Sequence, residues 1–203
     1  MKNTGKQRRK FIKKTGVAVI GGSMGFNIAQ ASPRIETNEK TLKIGLVGCG
    51  GRGTGAAGQA LSADSDTVLY AMADIFPDRL QQSLQAITDM NPKQVAVDED
   101  HRFIGFDAYQ KLIDSGVDVV LLATPPAFRP DHLKAAVEAG KHVFAEKPMA
   151  VDAAGVRKVL EAAKMAKEKG LSLTSGYCLR YDNAKRAFFK RILEGEIGEI
   201  RSM

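Results

Sequence analysis

The sequence has few cysteines and no long hydrophobic run. Cys49 and Cys178 are the only two cysteines among 203 residues. One lies in a glycine-rich turn and the other far downstream, so neither a disulfide framework nor a metal site is indicated. A moderately apolar stretch extends from Gly16 to Ile28, but it is too short and too rich in glycine to span a bilayer stably. We therefore expect no membrane span in the processed chain.

Acidic residues are absent from the first 31 positions, and this absence explains the formal net charge of +7. That segment holds seven of the 30 lysines and arginines, and the other 23 basic residues are balanced by 23 acidic ones. Because the basic surplus belongs to one terminal segment, no positive surface remains for nucleic acid. We expect no nucleic-acid partner.

The first 31 residues contain the three parts of an export signal. A basic stretch with the pair Arg8-Arg9 comes first, the apolar stretch follows, and Ala29-Gln30-Ala31 supplies a small-x-small cleavage pattern. Twin arginines followed by Phe11 and Ile12 resemble a twin-arginine signal. We therefore expect residues 1–31 to be a signal peptide that uses the twin-arginine translocase to reach the periplasm. A basic, disordered N-terminus that contains Arg-Arg by chance is the alternative.

After a polar linker at residues 32–41, short apolar runs alternate with helical patterns. The apolar runs predict strands at Leu42–Val47, Thr67–Ala73, Val95–Val97, Val117–Ala123, His142–Ala145 and Leu171–Ser175. Helices are expected at Arg52–Leu61, from Pro77, at Phe106–Ser115, from Pro130 to Gly140 and after Asp152. This alternation is typical of a parallel sheet with helices on both faces. We predict a Rossmann-type, doubly wound α/β domain over residues 42–176.

The last part of the chain departs from this alternation. The pattern predicts a helix over Asp182–Leu193 and a strand that starts at Gly198. Because such a strand would have no partner, we interpret residues 177–203 as a crossover and the truncated start of a second α/β domain.

In the earlier helix capped by Asp152, four apolar residues keep the spacing of one helix face: Val156, Val159, Leu160 and Ala163.

The turn after the first strand matches the dinucleotide-binding pattern G-x-G-x-x-G. Its first glycine permits the tight turn, its second lets the backbone approach a pyrophosphate, and its third lets helix and strand pack closely. The helix that begins here points free N–H groups at the phosphates. We expect the whole turn to bind the cofactor: Gly48, Cys49, Gly50, Gly51, Arg52 and Gly53.

A carboxylate follows the second strand at Asp74. An acid at this place accepts hydrogen bonds from the adenosine ribose of NAD and repels the 2′-phosphate of NADP. Ile75 and Phe76 come next, and no basic residue occurs before Arg79. We expect NAD as cofactor, with NADP possible, and Ile75 beside it. An acid that only caps the next helix is an equally good interpretation.

Two further motifs end strands at the same edge of the predicted sheet. Ala123-Thr124-Pro125-Pro126 ends the fourth strand, near the point where strand order reverses and ligands bind; a structural loop would look similar. Glu146-Lys147-Pro148 ends the fifth. Pro148 keeps Lys147 extended, and an ammonium group beside a cofactor can help to move a substrate proton. On the residues alone, a solvated lysine is the more common case.

Together with the run Glu138–Val143, these motifs resemble the glucose–fructose oxidoreductase / inositol dehydrogenase (Gfo/Idh/MocA) family over about residues 42–203. The resemblance implies that Lys147 is the catalytic lysine and that the bond before Pro148 can be cis. It implies a sugar or cyclitol substrate whose carbinol exchanges hydride with the nicotinamide. It also implies further cofactor contacts at Thr124, Pro125, His132, Glu146, Lys147 and Arg180.

Members of that family continue into a second domain that supplies an Asp/His acid–base pair, most substrate contacts and usually the subunit interface. We therefore expect the chain alone to bind NAD weakly without turnover, and homo-oligomers to require the further domain. Two alternatives stay open: an NAD-dependent glycosidase of the same fold, and a non-catalytic NAD-binding fragment. Net production of NADH would separate the dehydrogenase from the glycosidase.

Overall fold

The computed structural model describes residues 41–199 and residue 201. The predicted signal peptide and nearly all of the predicted linker lie outside these residues. Within them, no helix is long and apolar enough to cross a membrane.

Six parallel strands form one sheet in the described part of the chain. They are β1 (Leu42–Val47), β2 (Thr67–Asp74), β3 (Arg102–Ile104), β4 (Val119–Leu122), β5 (His142–Ala145) and β6 (Leu173–Ser175). Their order across the sheet is β3-β2-β1-β4-β5-β6. The order reverses between β1 and β4, so the connections that leave these two strands diverge and a crevice opens between them. The predicted Rossmann-type fold is confirmed.

Six α-helices accompany the strands over the same residues. They are α1 (Gly51–Ala63), α2 (Pro77–Met90), α3 (Ala108–Asp114), α4 (Arg129–Glu138), α5 (Ala153–Glu168) and α6 (Asn183–Leu193). Local signals set their ends. Pro77 begins α2, where its missing N–H costs nothing. The Asp152 side chain accepts a hydrogen bond from the Gly155 N–H at 2.6 Å and caps α5.

The apolar core consists of two clusters, one on each face of the sheet. Helices α1 and α2 pack on one face, and α3, α4 and α5 pack on the other. Neighbouring residues of β1 pack on opposite faces of the sheet: Leu46 belongs to the cluster with α1 and α2, and Val47 to the cluster with α3, α4 and α5. Each fully buried side chain of this size contributes about 1.5–3 kcal/mol to folding. The two clusters hold the sheet rigid beneath the loops at its carboxyl edge.

The predicted third strand at Val95–Val97 is wrong. Val95 makes only an isolated bridge to Leu69, and β3 lies further along the chain, where Arg102–Ile104 pairs with the end of β2. The physical reason is local. The Asp98 side chain accepts a hydrogen bond from the His101 N–H at 3.0 Å, which turns the chain into a short 3-10 helix before it rejoins the sheet.

Helix α5 packs on a narrower face than its larger apolar residues suggest. Its buried residues are Ala162 and Ala166, whereas the Val156 and Leu160 side chains are 47% and 64% exposed. Val159 is partly buried against the same cluster, whereas Val156 and Leu160 lie outside that contact. Near the end of the chain, where a strand was predicted to start at Gly198, the described residues 198, 199 and 201 form no strand.

Replacement of Gly53 by alanine should destabilise the fold. A Cβ at Gly53 would lie 1.9 Å from the Gly48 carbonyl oxygen, so α1 would have to move away from β1. We expect Gly53→Ala to lower the free energy of unfolding by about 2 kcal/mol or more. Gly51 is the matched control, because a Cβ there meets no atom within 4 Å. Urea denaturation of both variants tests this, and equal stabilities would contradict it.

Candidate functional site

A cleft of about 770 Å³ lies at the carboxyl edge of the sheet, where the strand order reverses. Its walls come from the segments that follow all six strands of the sheet. A volume of this size suits a cofactor-sized ligand. Ten of the predicted site residues line it: Gly48, Gly50, Arg52, Asp74, Ile75, Thr124, Pro125, His132, Glu146 and Lys147.

Four predicted site residues do not line this cleft. Cys49 is buried beneath the glycine turn, and Gly53 packs against the backbone of that turn. Gly51 is exposed at the start of α1. Arg180 lies in a short 3-10 turn, where its guanidinium group stands 5.7 Å from the centre of the Tyr177 ring.

The glycine turn touches the loop that follows β4. Gly48 has φ +95°, and a Cβ there would lie 2.8 Å from backbone atoms of Ala123 and Thr124, so only glycine fits. Gly50 is the N-cap of α1 and has no side chain with which to cap that end of the helix. The first N–H groups of α1 therefore remain available to an anionic ligand.

The Asp74 carboxylate accepts hydrogen bonds both from the glycine turn and from the backbone just after its own strand. One carboxylate oxygen accepts a hydrogen bond from the Cys49 N–H at 2.6 Å, and the other accepts one from the Phe76 N–H at 2.9 Å. Each oxygen keeps a lone pair for a ribose hydroxyl. Burial raises the pKa of the Cys49 thiol and the Asp74 charge raises it further, so this thiol stays protonated.

An ion pair crosses the crevice from the glycine turn to the end of β5. The Glu146 carboxylate, only 4% of whose residue surface is exposed, accepts a hydrogen bond from the Arg52 Nε at 2.7 Å. A Cβ at Gly176 would come within 3.0 Å of that carboxylate, so glycine makes room for it. A buried carboxylate requires such a partner. The pairing itself was not predicted.

Lys147 lies at the mouth of this cleft. Its side chain is exposed, and it makes no hydrogen bond or ion pair with another described residue. The peptide bond between Lys147 and Pro148 is cis, as the family resemblance implied. The ammonium group is therefore free to contact a ligand.

Sequence reasoning missed Arg129, the first residue of α4. Only 3% of its surface is exposed, and its Nη1 and Nη2 groups donate to the carbonyl oxygens of Pro148 and Thr124. Burial lowers the pKa of Arg129, and the charge of Glu146 partly opposes that shift. An arginine directly before a helix-starting proline was the only signal, and it does not reveal that the side chain turns inwards.

His132 lines the cleft as a neutral, stacked imidazole. Its Nδ1 lies 3.2 Å from the Thr124 hydroxyl, and its ring stacks on Tyr109 with the ring centres 4.0 Å apart. Burial lowers the pKa of His132 to about 4, although Asp131 opposes that shift. The imidazole is therefore uncharged near neutral pH.

The low pKa of His132 predicts a loss of stability in mild acid. The unfolded imidazole takes up its proton near pH 6.5, whereas the folded one does so only near pH 4. As the pH falls through this interval the unfolded chain binds more protons, so the free energy of unfolding decreases. We expect the free energy of unfolding of the His132→Gln variant to depend less steeply on pH over this range. Urea denaturation measures both proteins, and parallel pH profiles would contradict the assignment.

Comparisons with known proteins agree with this geometry. A family model described as "Oxidoreductase family, NAD-binding Rossmann fold" matches residues 42–177. The chain is 32% identical to inositol 2-dehydrogenase from Rhizobium meliloti over 79% of its own length and 43% of the relative. It is 28% identical to myo-inositol 2-dehydrogenase from Thermotoga maritima over 78% of its length and 42% of that relative.

A solved structure shows the same architecture. The 3-ketoreductase from Actinomadura kijaniata in complex with NADP and TDP-benzene matches with a TM-score of 0.62 and 27% identity, over 79% of this chain and 44% of that one. The chain therefore spans less than half the length of these relatives.

Proposed function

Because the chain belongs to the Gfo/Idh/MocA oxidoreductase family, we propose that it forms the cofactor-binding domain of an enzyme that moves hydride between a nicotinamide and a sugar or cyclitol carbinol. One observation carries this proposal. The glycine turn, Thr124 and Lys147 meet in a single cleft at the strand-order reversal. The named activities of the relatives, on inositols and on a keto sugar, support this substrate class.

The polar groups of the cleft suit the parts of a dinucleotide. The free N–H groups at the start of α1 would hold the pyrophosphate. Asp74 and Ile75 lie where the adenosine ribose belongs. Thr124 and Lys147, at the ends of β4 and β5, lie on the nicotinamide side. The Asp74 charge favours NAD over NADP because it repels a 2′-phosphate.

Lys147 is the proposed catalytic residue. When bound, the nicotinamide supplies the hydride acceptor or donor. The Lys147 ammonium group would donate a hydrogen bond to the reacting oxygen of the substrate and stabilise the negative charge that develops on that oxygen. Its lack of any other partner among the described residues leaves it available for that contact.

Binding of NAD to the chain can be tested through its one exposed thiol. Cys178 lines the cleft and is exposed, whereas Cys49 is buried. We expect NAD to slow alkylation of Cys178 several-fold, because the ligand covers it, and to do so at lower concentration than NADP. Mass spectrometry after timed iodoacetamide treatment gives the rate.

Two glycine variants accompany this measurement, one that should block NAD binding and one that should not. A Cβ at Gly50 has only the Arg79 guanidinium nearby, at 3.8 Å, so Gly50→Ala should fold yet obstruct the pyrophosphate. Gly51 does not line the cleft and an alanine keeps its backbone N–H group, so Gly51→Ala should retain protection. Equal alkylation rates with and without NAD in the parent chain would count against the proposed cofactor site.

The role of Lys147 is tested in the whole protein that contains this chain. We expect Lys147→Ala to lower turnover about 100-fold or more while NAD affinity changes little, because the lysine acts on the substrate oxygen. Reduction of NAD in the presence of myo-inositol, followed by absorbance, measures the rate. Lys147→Arg keeps the charge and serves as control. Unchanged turnover in Lys147→Ala would remove the lysine from the mechanism.

The same assay separates the two activities of this fold, because a dehydrogenase releases free NADH and a glycosidase does not.

We also propose that residues 1–31 export the protein to the periplasm through the twin-arginine translocase. The basic pair Arg8-Arg9, the apolar stretch and the Ala29–Ala31 pattern support this. Exchange of both arginines for lysine should retain an uncleaved precursor in the cytoplasm. Processing of the Lys-Lys form after Ala31 would refute the assignment.

A further inference from the structure

Arg129 places a buried positive charge between the two loops that form one side of the cleft. Its guanidinium group donates to the Thr124 carbonyl, in the loop after β4, and to the Pro148 carbonyl, in the loop after β5. These are the two segments that carry the Thr124 hydroxyl and the Lys147 ammonium group. One planar side chain therefore connects both.

The position is electrostatically unfavourable for an arginine. Arg129 is the first residue of α4, where the helix dipole opposes a positive charge. Its Nε is buried without a hydrogen-bond partner among the described residues. The Glu146 carboxylate favours the charged form of Arg129, but its ion pair is with Arg52. An apolar side chain such as methionine would avoid these costs, but it would leave the Thr124 and Pro148 carbonyl oxygens without their donor. The reason for an arginine here therefore lies in the bonds that it makes to the two loops.

Two residues of the loop after β4 cannot donate backbone hydrogen bonds. Pro125 and Pro126 have no N–H groups to donate. A guanidinium group presents several donors in one rigid plane and can hold two carbonyl oxygens at a set separation. A lysine in its place is a single point charge on a flexible stem and cannot hold both in the same way.

We propose that Arg129 is a positioning residue, which fixes Thr124 and Lys147 relative to each other on the nicotinamide side of the cleft. The inference rests on the proposed function, since it assigns that side of the cleft to the nicotinamide. It predicts that loss of the guanidinium group affects the nicotinamide half of the dinucleotide and spares the adenosine half, which Asp74 and the glycine turn hold.

The test compares NADH with ADP-ribose, which lacks the nicotinamide, by calorimetric titration of the chain. We expect the parent chain to bind NADH more tightly than ADP-ribose. Arg129→Lys should weaken NADH binding about tenfold, the effect of one lost charge-assisted hydrogen bond, and leave ADP-ribose binding within about twofold. Arg157→Lys, on the exposed surface of α5, is the matched control and should change neither affinity.

Each other outcome is decisive. Equal weakening of both ligands, unchanged NADH binding, or a parent chain that binds both ligands equally would overturn the positioning role. Thermal melting checks folding, and Arg129→Gln is a second variant that keeps a donor group. If neither variant melts cooperatively, Arg129 is a stability residue and the proposal is wrong. A parent chain that binds neither ligand contradicts the proposed function instead.

Discussion

The backbone contact between the Gly48 turn and the loop after β4 sets the geometry of the cleft. A Cβ at Gly48 would strike the backbone of Ala123 and Thr124, and one at Gly53 would strike the Gly48 carbonyl. Two strands that diverge in their connections are thereby held together at one point. The start of α1 and Thr124 take their positions from that point, and Arg129 connects the Lys147 segment to Thr124.

Hydrogen bonds of three charged side chains then stabilise this arrangement. Asp74 holds the glycine turn from β2, Arg52 ties it to Glu146 after β5, and Arg129 joins the loops after β4 and β5. All three use charged side chains, and two of those side chains are buried. Because charged groups form short, directional hydrogen bonds, they hold loop backbone more firmly than apolar packing does.

Local patterns predicted most of the fold and the contents of the cleft, because alternating apolar runs, capping residues and glycines act within a few residues. The β3 prediction failed where Asp98, a turn-forming side chain, redirected the chain. The pairing of Arg52 with Glu146 joins residues 94 positions apart, and no periodicity encodes such a contact. The inward orientation of Arg129 likewise depends on carbonyl groups that the folded loops bring to it.

The double use of Asp74 has a consequence for protein engineering. Its carboxylate serves as an acceptor for two backbone N–H groups at once, so the proposed preference for NAD and the geometry of the turn depend on one side chain. A shorter residue such as serine cannot reproduce both bonds, and asparagine would bring a donor against a donor. A redesign towards NADP therefore has to keep Asp74 and act on its neighbours, where Ile75 and Arg79 already border the cleft.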